Sequence, residues 1–394
     1  MLGNKKFTRK EQKLDGQGGT MKKFMIPDGT RDLILGECRM KRKLQHDIER
    51  IFDSYGYKEI VTPSIEYFRT YLTGLQNIKD EQMYKFLDYR GRIMTMRMDM
   101  TVPIARVVAT RMKDQPLPLR FRYCANVYKI NESFAGKLNE VTDCGIELIG
   151  QTSEESDLEI LVCALEAMES MKQESYTLEL GDVNFFHGAC RDLKIDEEDR
   201  EKLADLVDKK SMKALSDFLD ELRLDDKVKT FFLKLPWMCG DISTLDEVLP
   251  YCFNSKLRKT VENLRKLYMQ LNELGYENHI TFDLGKIPHL NYYSGILFEG
   301  FIEGSGTSVL SGGRYDTLLE KFGTPMPAIG FSVKLDYVLP VLKTDNKDKQ
   351  RLVMYYPGKL KVEALKHATE LRRTCTVELK QDEFYNQIEV REVP

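Results

Sequence analysis

The sequence is poor in the residues that most often announce a function. Of 394 residues, five are histidine and one is tryptophan. The eight cysteines (Cys38, Cys124, Cys144, Cys163, Cys190, Cys239, Cys252 and Cys375) are scattered, and no two stand in a C-x-x-C pair. That spacing argues against a zinc site and a disulfide framework, and suits buried free thiols in a reducing, cytoplasmic setting. No apolar run approaches the length of a membrane span, and no basic-then-apolar leader opens the chain. The net charge is −3, so no overall basic field draws in nucleic acid. No Gly-Lys-Ser/Thr follows the glycines of SGGRYD (Ser311–Asp316), which excludes a P-loop there.

What is present reads as a globular protein, 42% hydrophobic and 31% charged, long enough for two or three domains. Residues 1–20 are polar, without a hydrophobic period, and are expected to form a disordered extension. Met40, Leu44, Ile48, Ile51, Phe52 and Tyr55 step by three and four, the apolar face of a helix that Gly56 ends. Lys58–Phe68 reads as a strand with Pro63 near its end, Met83–Asp99 as a hairpin turning at Arg90-Gly91, and Thr101–Met112 as a helix with Pro103 in its first turn. Two strands flank the polar turn of VYKINESFAGKLNEVTDCGIELIG (Val127–Gly150). A helix over Ser156–Met171 and a strand over Tyr176–Val183 follow. Residues 187–276 are charge-rich and helical by period, as an insertion would be. Strands resume at Ile280, and residues 346–394 read strand, helix, strand, strand, very small for an independent core. The order gives an α+β fold: a core from residues 21–186 and 277–343, a helical insertion, and a short α/β tail.

Four motifs carry candidate chemistry. Glu147 is the one acid on the apolar strand ending at Gly150, where a core residue is expected. RMDMT sets Asp99 and Thr101 just before a helix, where an ordinary N-cap would also explain them. LNYYSGILFE puts Tyr292 and Tyr293 at a strand start, either divided between core and surface or lining a polar pocket. SGGRYD combines glycines that allow close backbone approach with Arg314 and Tyr315. Asp99, Asp143 and Glu147 with Thr101, Tyr293 and Tyr315 would suit a small amine, because carboxylates pair with ammonium and hydroxyls orient it. Spacing alone does not bring them together.

In their order, IPDGTRD, SYGYKEIVTPSIE, RMDMT, GIELIG, LNYYSGILFE, SGGRYD and AIGFSVKLDYVL resemble the core of class II aminoacyl-tRNA synthetases, specifically histidyl-tRNA synthetase, over roughly Ile26–Leu342. The resemblance implies a six- or seven-stranded antiparallel sheet flanked by helices, and a homodimer joined by the helix and strand around Pro63. It implies histidine-binding positions at Asp99, Thr101, Asp143, Glu147, Tyr293 and Tyr315, with Asp99 in place of a Glu and Asp143 in place of a Gln. Glu147, Asp99 and Thr101 would take the α-ammonium, and Asp143, Tyr293 and Tyr315 the imidazole; the other reading pairs Glu147 with Arg314.

The same resemblance implies that the ATP side is degraded. Lys129 and Asn131 stand where the family has a phosphate-gripping arginine and then a glutamate. Pro288 replaces a catalytic arginine, and Tyr337 the arginine that clamps the γ-phosphate. Lysine keeps a charge but lacks the bidentate fork, and losing one transition-state charge stabiliser costs about 10²–10³ in rate. No catalytic residue, cofactor or metal is expected. A retained amino-acid half, a lost ATP half and a shortened tail are together similar to the regulatory subunits of ATP phosphoribosyltransferase. The resemblance implies a non-catalytic, cytoplasmic subunit that joins the short-form catalytic subunit in a hetero-oligomer, activates it and confers allosteric L-histidine feedback on the first step of histidine biosynthesis, with no tRNA or membrane partner. The alternatives are a divergent histidyl-tRNA synthetase or related amino-acid-adenylating enzyme, and a free-standing histidine- or RNA-binding module.

Overall fold

Helix α1 (Gly36–Ser54) forms where the three-and-four spacing places it and buries Leu44, Ile48 and Phe52. Burying each such side chain is worth about 1.5–3 kcal/mol. The computed structural model describes residues 25–75, 80–131, 137–152, 154–191, 193, 195–287, 292–342 and 351–393; the expected extension at 1–20 and Pro288 lie outside them. The chain divides into two compact units, residues 1–342 and 343–394.

The stretch Lys58–Phe68 forms two strands rather than one, β1 (Lys58–Glu59) and β2 (Ile65–Tyr67), which belong to different sheets. Pro63 has no N–H to give a ladder, and the Thr62 carbonyl accepts instead from Arg97 Nη1 at 2.9 Å. After α2 (Phe68–Gly74), the hairpin of β3 (Lys85–Leu87) and β4 (Ile93–Met96) turns through Gly91 at φ 72°. These strands make a small sheet in the order β2-β4-β3. Helix α3 (Thr101–Val107) carries Pro103 in its first turn and widens into a π turn over Val108–Met112.

The remaining elements of the first unit are β5 (Leu119–Tyr128), β6 (Glu140–Ile149), α4 (Glu154–Glu169), β7 (Tyr176–Asp182), α5 (Val183–Cys190), α6 (Glu197–Asp208), α7 (Met212–Glu221), α8 (Asp226–Lys234), β8 (Cys239–Gly240), α9 (Thr244–Glu247), α10 (Ser255–Glu273), β9 (Ile280–Asp283), β10 (Ile296–Ile302), β11 (Leu310–Arg314), β12 (Ala328–Lys334) and α11 (Leu335–Val338). Among the described residues the main sheet has nine strands in the order β1-β5-β6-β12-β11-β10-β7-β9-β8. The six from β5 to β7 are antiparallel throughout. Beyond the expected six or seven, β1 and β9 join in parallel and β8 closes the far edge. These additions are two, four and two residues long; β1 and β9 begin where strands are expected, at Lys58 and Ile280, and β8 is too short for alternation to reveal it.

The two faces of the sheet differ. One carries Cys144, Ile146, Leu148, Phe298, Ile329, Phe331 and Val333 against α1 and α4, and Phe52 meets Phe331 edge to face at 5.7 Å. The helices between Val183 and Glu273 bury Leu203, Leu219, Phe231 and Leu257 in this same core, so their charge-rich sequence is an outer face. Their starts are capped: Asp182 accepts from the Asn184 N–H at 2.8 Å, Asp196 from that of Asp199 at 2.8 Å, and Asn254 from that of Leu257 at 3.0 Å, each satisfying a donor the helix cannot. The other face packs Phe121, Tyr123, Ile149 and Tyr315 under Val102 and Ile104 of α3.

The second unit reads as the sequence suggests: β13 (Arg351–Tyr356), α12 (Lys361–Leu371), β14 (Thr376–Gln381) and β15 (Glu389–Val393). Its core is Met354, Tyr356, Ala364, Ala368 and Val377. Among the described residues no helix is long and apolar enough to cross a membrane.

Candidate functional site

Strand β6 alternates Cys144, Ile146 and Leu148 toward one face with Asp143, Gly145 and Glu147 toward the other. Glu147 stands level with Phe121 of β5 and Gly330 of β12, and Gly330 with Gly313 of β11. A Cβ at 330 would lie 1.9 Å from Glu147 Oε2, and one at 313 would lie 2.7 Å from the Tyr293 ring. The two glycines therefore clear the floor on which the carboxylate lies.

Glu147 is 1% exposed. The Thr101 hydroxyl, at the first turn of α3, donates to its Oε1 at 2.8 Å, and the Tyr315 hydroxyl donates to its Oε2. The Tyr292 ring lies 5.6 Å from that of Tyr315 and 4.8 Å from that of Tyr293. Asp99 Oδ1 accepts the Val102 N–H at 3.1 Å, so the capping role is real, yet its Oδ2 is buried and meets no partner among the described residues. The loop is fixed by the Tyr71 hydroxyl, which accepts from the Met98 N–H at 2.9 Å and donates to the Asp99 carbonyl at 3.2 Å. Asp143 faces Ser332 and Lys334, and its Oδ1 is likewise buried without a partner.

Burial dominates the electrostatics. It pushes Glu147 up to about 8; the bonds from Tyr315 and Thr101 work against this, and the Asp99 charge adds to it. It pushes Asp99 up to about 7, held back by the Val102 N–H and raised further by Asp143. Asp143 rises to about 6, restrained by Lys334 and Ser332. Three neighbouring carboxylates that resist ionising, two with an idle oxygen, form an acceptor-rich site suited to a small ammonium ion. They lie under packed side chains and line neither of two cavities, of about 750 and 210 Å³, found elsewhere in the fold.

The ATP-side positions have other occupations. The Asn131 amide donates to the carbonyls of Leu138 at 2.8 Å and Lys129 at 3.2 Å. The Tyr337 hydroxyl accepts the Leu138 N–H at 3.3 Å. Both stitch the base of the β5–β6 hairpin. Burial, then Lys137 and Lys334, disfavour the charge on Lys129.

The structure thus gathers Asp99, Thr101, Asp143, Glu147, Tyr293 and Tyr315 on one face. Tyr315 shares the Glu147 carboxylate with Thr101. Arg314 does not meet Glu147: it projects to the opposite face and donates to Asp157 Oδ1 at 2.8 Å, Ser156 at 2.6 Å and Asp316 at 3.0 Å. Sequence reading missed Gly330, Ser332 and Lys334 as parts of the site. Their alternation with Ile329, Phe331 and Val333 in AIGFSVK was the available signal.

Comparison with known proteins now decides the family. The histidyl-tRNA synthetase family profile matches residues 29–338. An ATP phosphoribosyltransferase regulatory subunit from Acetivibrio thermocellus is 37% identical, over 85% of this chain and 79% of that one. One from Clostridium botulinum is 36% identical, over 84% and 80%. This chain belongs to the family of ATP phosphoribosyltransferase regulatory subunits, within the histidyl-tRNA synthetase group. It is therefore a non-catalytic subunit by family. A crystal structure from Bacillus halodurans, described as an ATP phosphoribosyltransferase regulatory subunit/histidyl-tRNA synthetase, superposes with a TM-score of 0.82 at 28% identity, covering 93% of this chain and 94% of that one. A histidyl-tRNA synthetase from Nostoc, 20% identical, shares the fold with a TM-score of 0.74 over 91% and 86%.

Proposed function

We propose that this chain activates a short-form ATP phosphoribosyltransferase catalytic subunit and carries its histidine feedback, with L-histidine bound at Glu147. One observation carries the reading. Among the described residues, buried carboxylate oxygens of Asp99 and Asp143 stand idle beside Glu147, while Asn131 and Tyr337, on the ATP side, are spent on the hairpin backbone. The amino-acid half offers acceptors to a cation; the phosphate half offers no arginine fork among its described positions. Feedback then requires histidine to bind the active and inhibited assemblies with different affinity, and such coupling is typically about 1–3 kcal/mol.

The assembly is a homodimer within a hetero-oligomer, working in the cytoplasm without tRNA. The apolar stripe of α1 is used within the chain, where Leu44 and Ile48 are buried. The dimer contact therefore falls on the neighbouring small sheet, where Ile65, Leu87 and Ile93 are exposed and an unpaired apolar patch favours a partner.

The test mixes this chain with the short-form catalytic subunit of the same organism. Co-elution, gain of phosphoribosyl transfer and inhibition by histidine are expected. No complex, with a catalytic subunit fully active alone, would remove the assignment. Histidine-dependent ATP–pyrophosphate exchange by the purified chain would favour the adenylating alternative.

A further inference from the structure

Cys124 and Cys144 stand in no ligand spacing, but the register of β5 and β6 sets them directly opposite one another. In that ladder the Lys129 N–H donates to the Asn139 carbonyl at 2.9 Å. Hydrogen-bonded pairs alternate from there, through 127/141 to 125/143, so Cys124 and Cys144 form a non-bonded pair. In such pairs the Cα atoms are only about 4.5 Å apart and the side chains lie closest. Both thiols point to the α1 side, and Glu49 of α1 reaches them. Its carboxylate oxygen and the two sulfurs all lie within 4.8 Å of one another. Among the described residues no other three metal-ligating side chains gather this tightly.

We propose that Glu49, Cys124 and Cys144 bind a thiophilic divalent cation of the zinc class. Tetrahedral zinc with bonds near 2.3 Å separates two sulfurs by about 3.8 Å, so the observed spread needs only small side-chain shifts. Three protein ligands leave a fourth position for water. Glu49 is already oriented by the Gln45 amide, which donates to its Oε1 at 2.9 Å, the kind of outer contact that fixes a ligating carboxylate. Charge also fits. Two thiolates and a carboxylate exceed the cation by one, and the Arg122 guanidinium, shared with Asp53, stands 3.7 Å from Glu49. Cys144 is buried, whereas Cys124 is partly exposed, which gives the ion a route in.

The position has a consequence. Cys144 lies between Asp143 and Gly145 on β6, so the ion would clamp α1 to the back of the strand whose front carries Asp143 and Glu147. Binding exchanges both thiol protons for the metal and releases them to solvent, because cysteine ligates as thiolate.

The test titrates the full chain, reduced and stripped by chelation, with Cd²⁺, read by its thiolate charge-transfer absorption, and with Zn²⁺ against a chelating dye. One ion per chain and two protons released per ion are expected. Removing an outer-shell partner alone typically costs 10–100-fold, so Cys124→Ser, which removes a ligand, is expected to weaken binding at least about 100-fold, and Glu49→Gln about tenfold. Cys163→Ser, at a buried thiol outside the group, should leave affinity unchanged. Cys144→Ser risks misfolding, so the partly exposed Cys124 carries the test. Absence of the cadmium–thiolate band in the wild type, or equal affinity in Cys124→Ser, overturns the proposal.

Discussion

Both halves of the candidate site draw on the β5–β6 hairpin, yet their polar atoms are used in opposite ways. Around Glu147, hydroxyls from Thr101 and Tyr315 converge on a carboxylate, and among the described residues acceptors of Asp99 and Asp143 are left over. Around Lys129, the amide of Asn131 and the phenol of Tyr337 are bound into the hairpin. A buried acceptor without a donor costs on the order of 1–3 kcal/mol. A fold that keeps two of them holds a cost that a ligand could relieve, whereas a satisfied backbone stitch has nothing to gain from one. Residue identity alone does not separate the two halves in this way; the tally of unmet partners does.

The sharpest break of this contrast is Glu147→Ala. It is expected to abolish histidine binding by calorimetry, at least about 100-fold, since charge-assisted hydrogen bonds are the strong ones. Retained affinity, with the far-UV spectrum unchanged, would move the ligand elsewhere. Next comes Glu147→Gln. The native carboxyl is raised from 4.5 to about 8, so its stabilising contribution is complete below pH 4.5 and lost as pH rises through 8. The amide has no charge to bury. The variant should therefore be more stable than wild type at pH 9 by a few kcal/mol, at about 1.4 kcal/mol per pKa unit, and show no advantage at pH 4. Urea denaturation at both values checks this; a gain that does not depend on pH would refute the cause.

Gly330→Ala places a methyl against Glu147 Oε2. Overpacking of this kind costs about 1–3 kcal/mol, and histidine affinity should fall with stability. An alanine that leaves both untouched would mean the carboxylate is free to move. A smaller effect is the pH dependence of binding. An ammonium ion must displace protons from Glu147 and Asp99, whose values lie near 8 and 7. Histidine affinity should rise from pH 6 to pH 8, up to about tenfold per unit for each proton released; a flat profile would count against carboxylate pairing. The smallest effect is on the other half. Tyr337→Phe removes one hydrogen bond to the Leu138 N–H, and stability should drop by about 1 kcal/mol with histidine affinity unchanged. Reduced affinity there would show that the halves are coupled.

Much of this protein was legible in its sequence. The three-and-four period of α1, the alternation on β6 and the glycine at the β3–β4 turn are local consequences of backbone geometry and side-chain polarity. Such signals survive without a fold. The order of motifs, and the arginines absent from Lys129 and Tyr337, already set the family and the expected loss of adenylation. Three things needed the tertiary structure. Pro63 splits one expected strand between two sheets, because its missing N–H matters only once neighbouring strands demand a donor. Arg314 and Tyr315 are adjacent in sequence but fall on opposite faces, so Glu147 receives a phenol and not a guanidinium. Cys124 meets Cys144, and Glu147 meets Gly330, only through strand register. Register is set by long-range pairing, and a slip of one residue would send every one of these side chains to the other face.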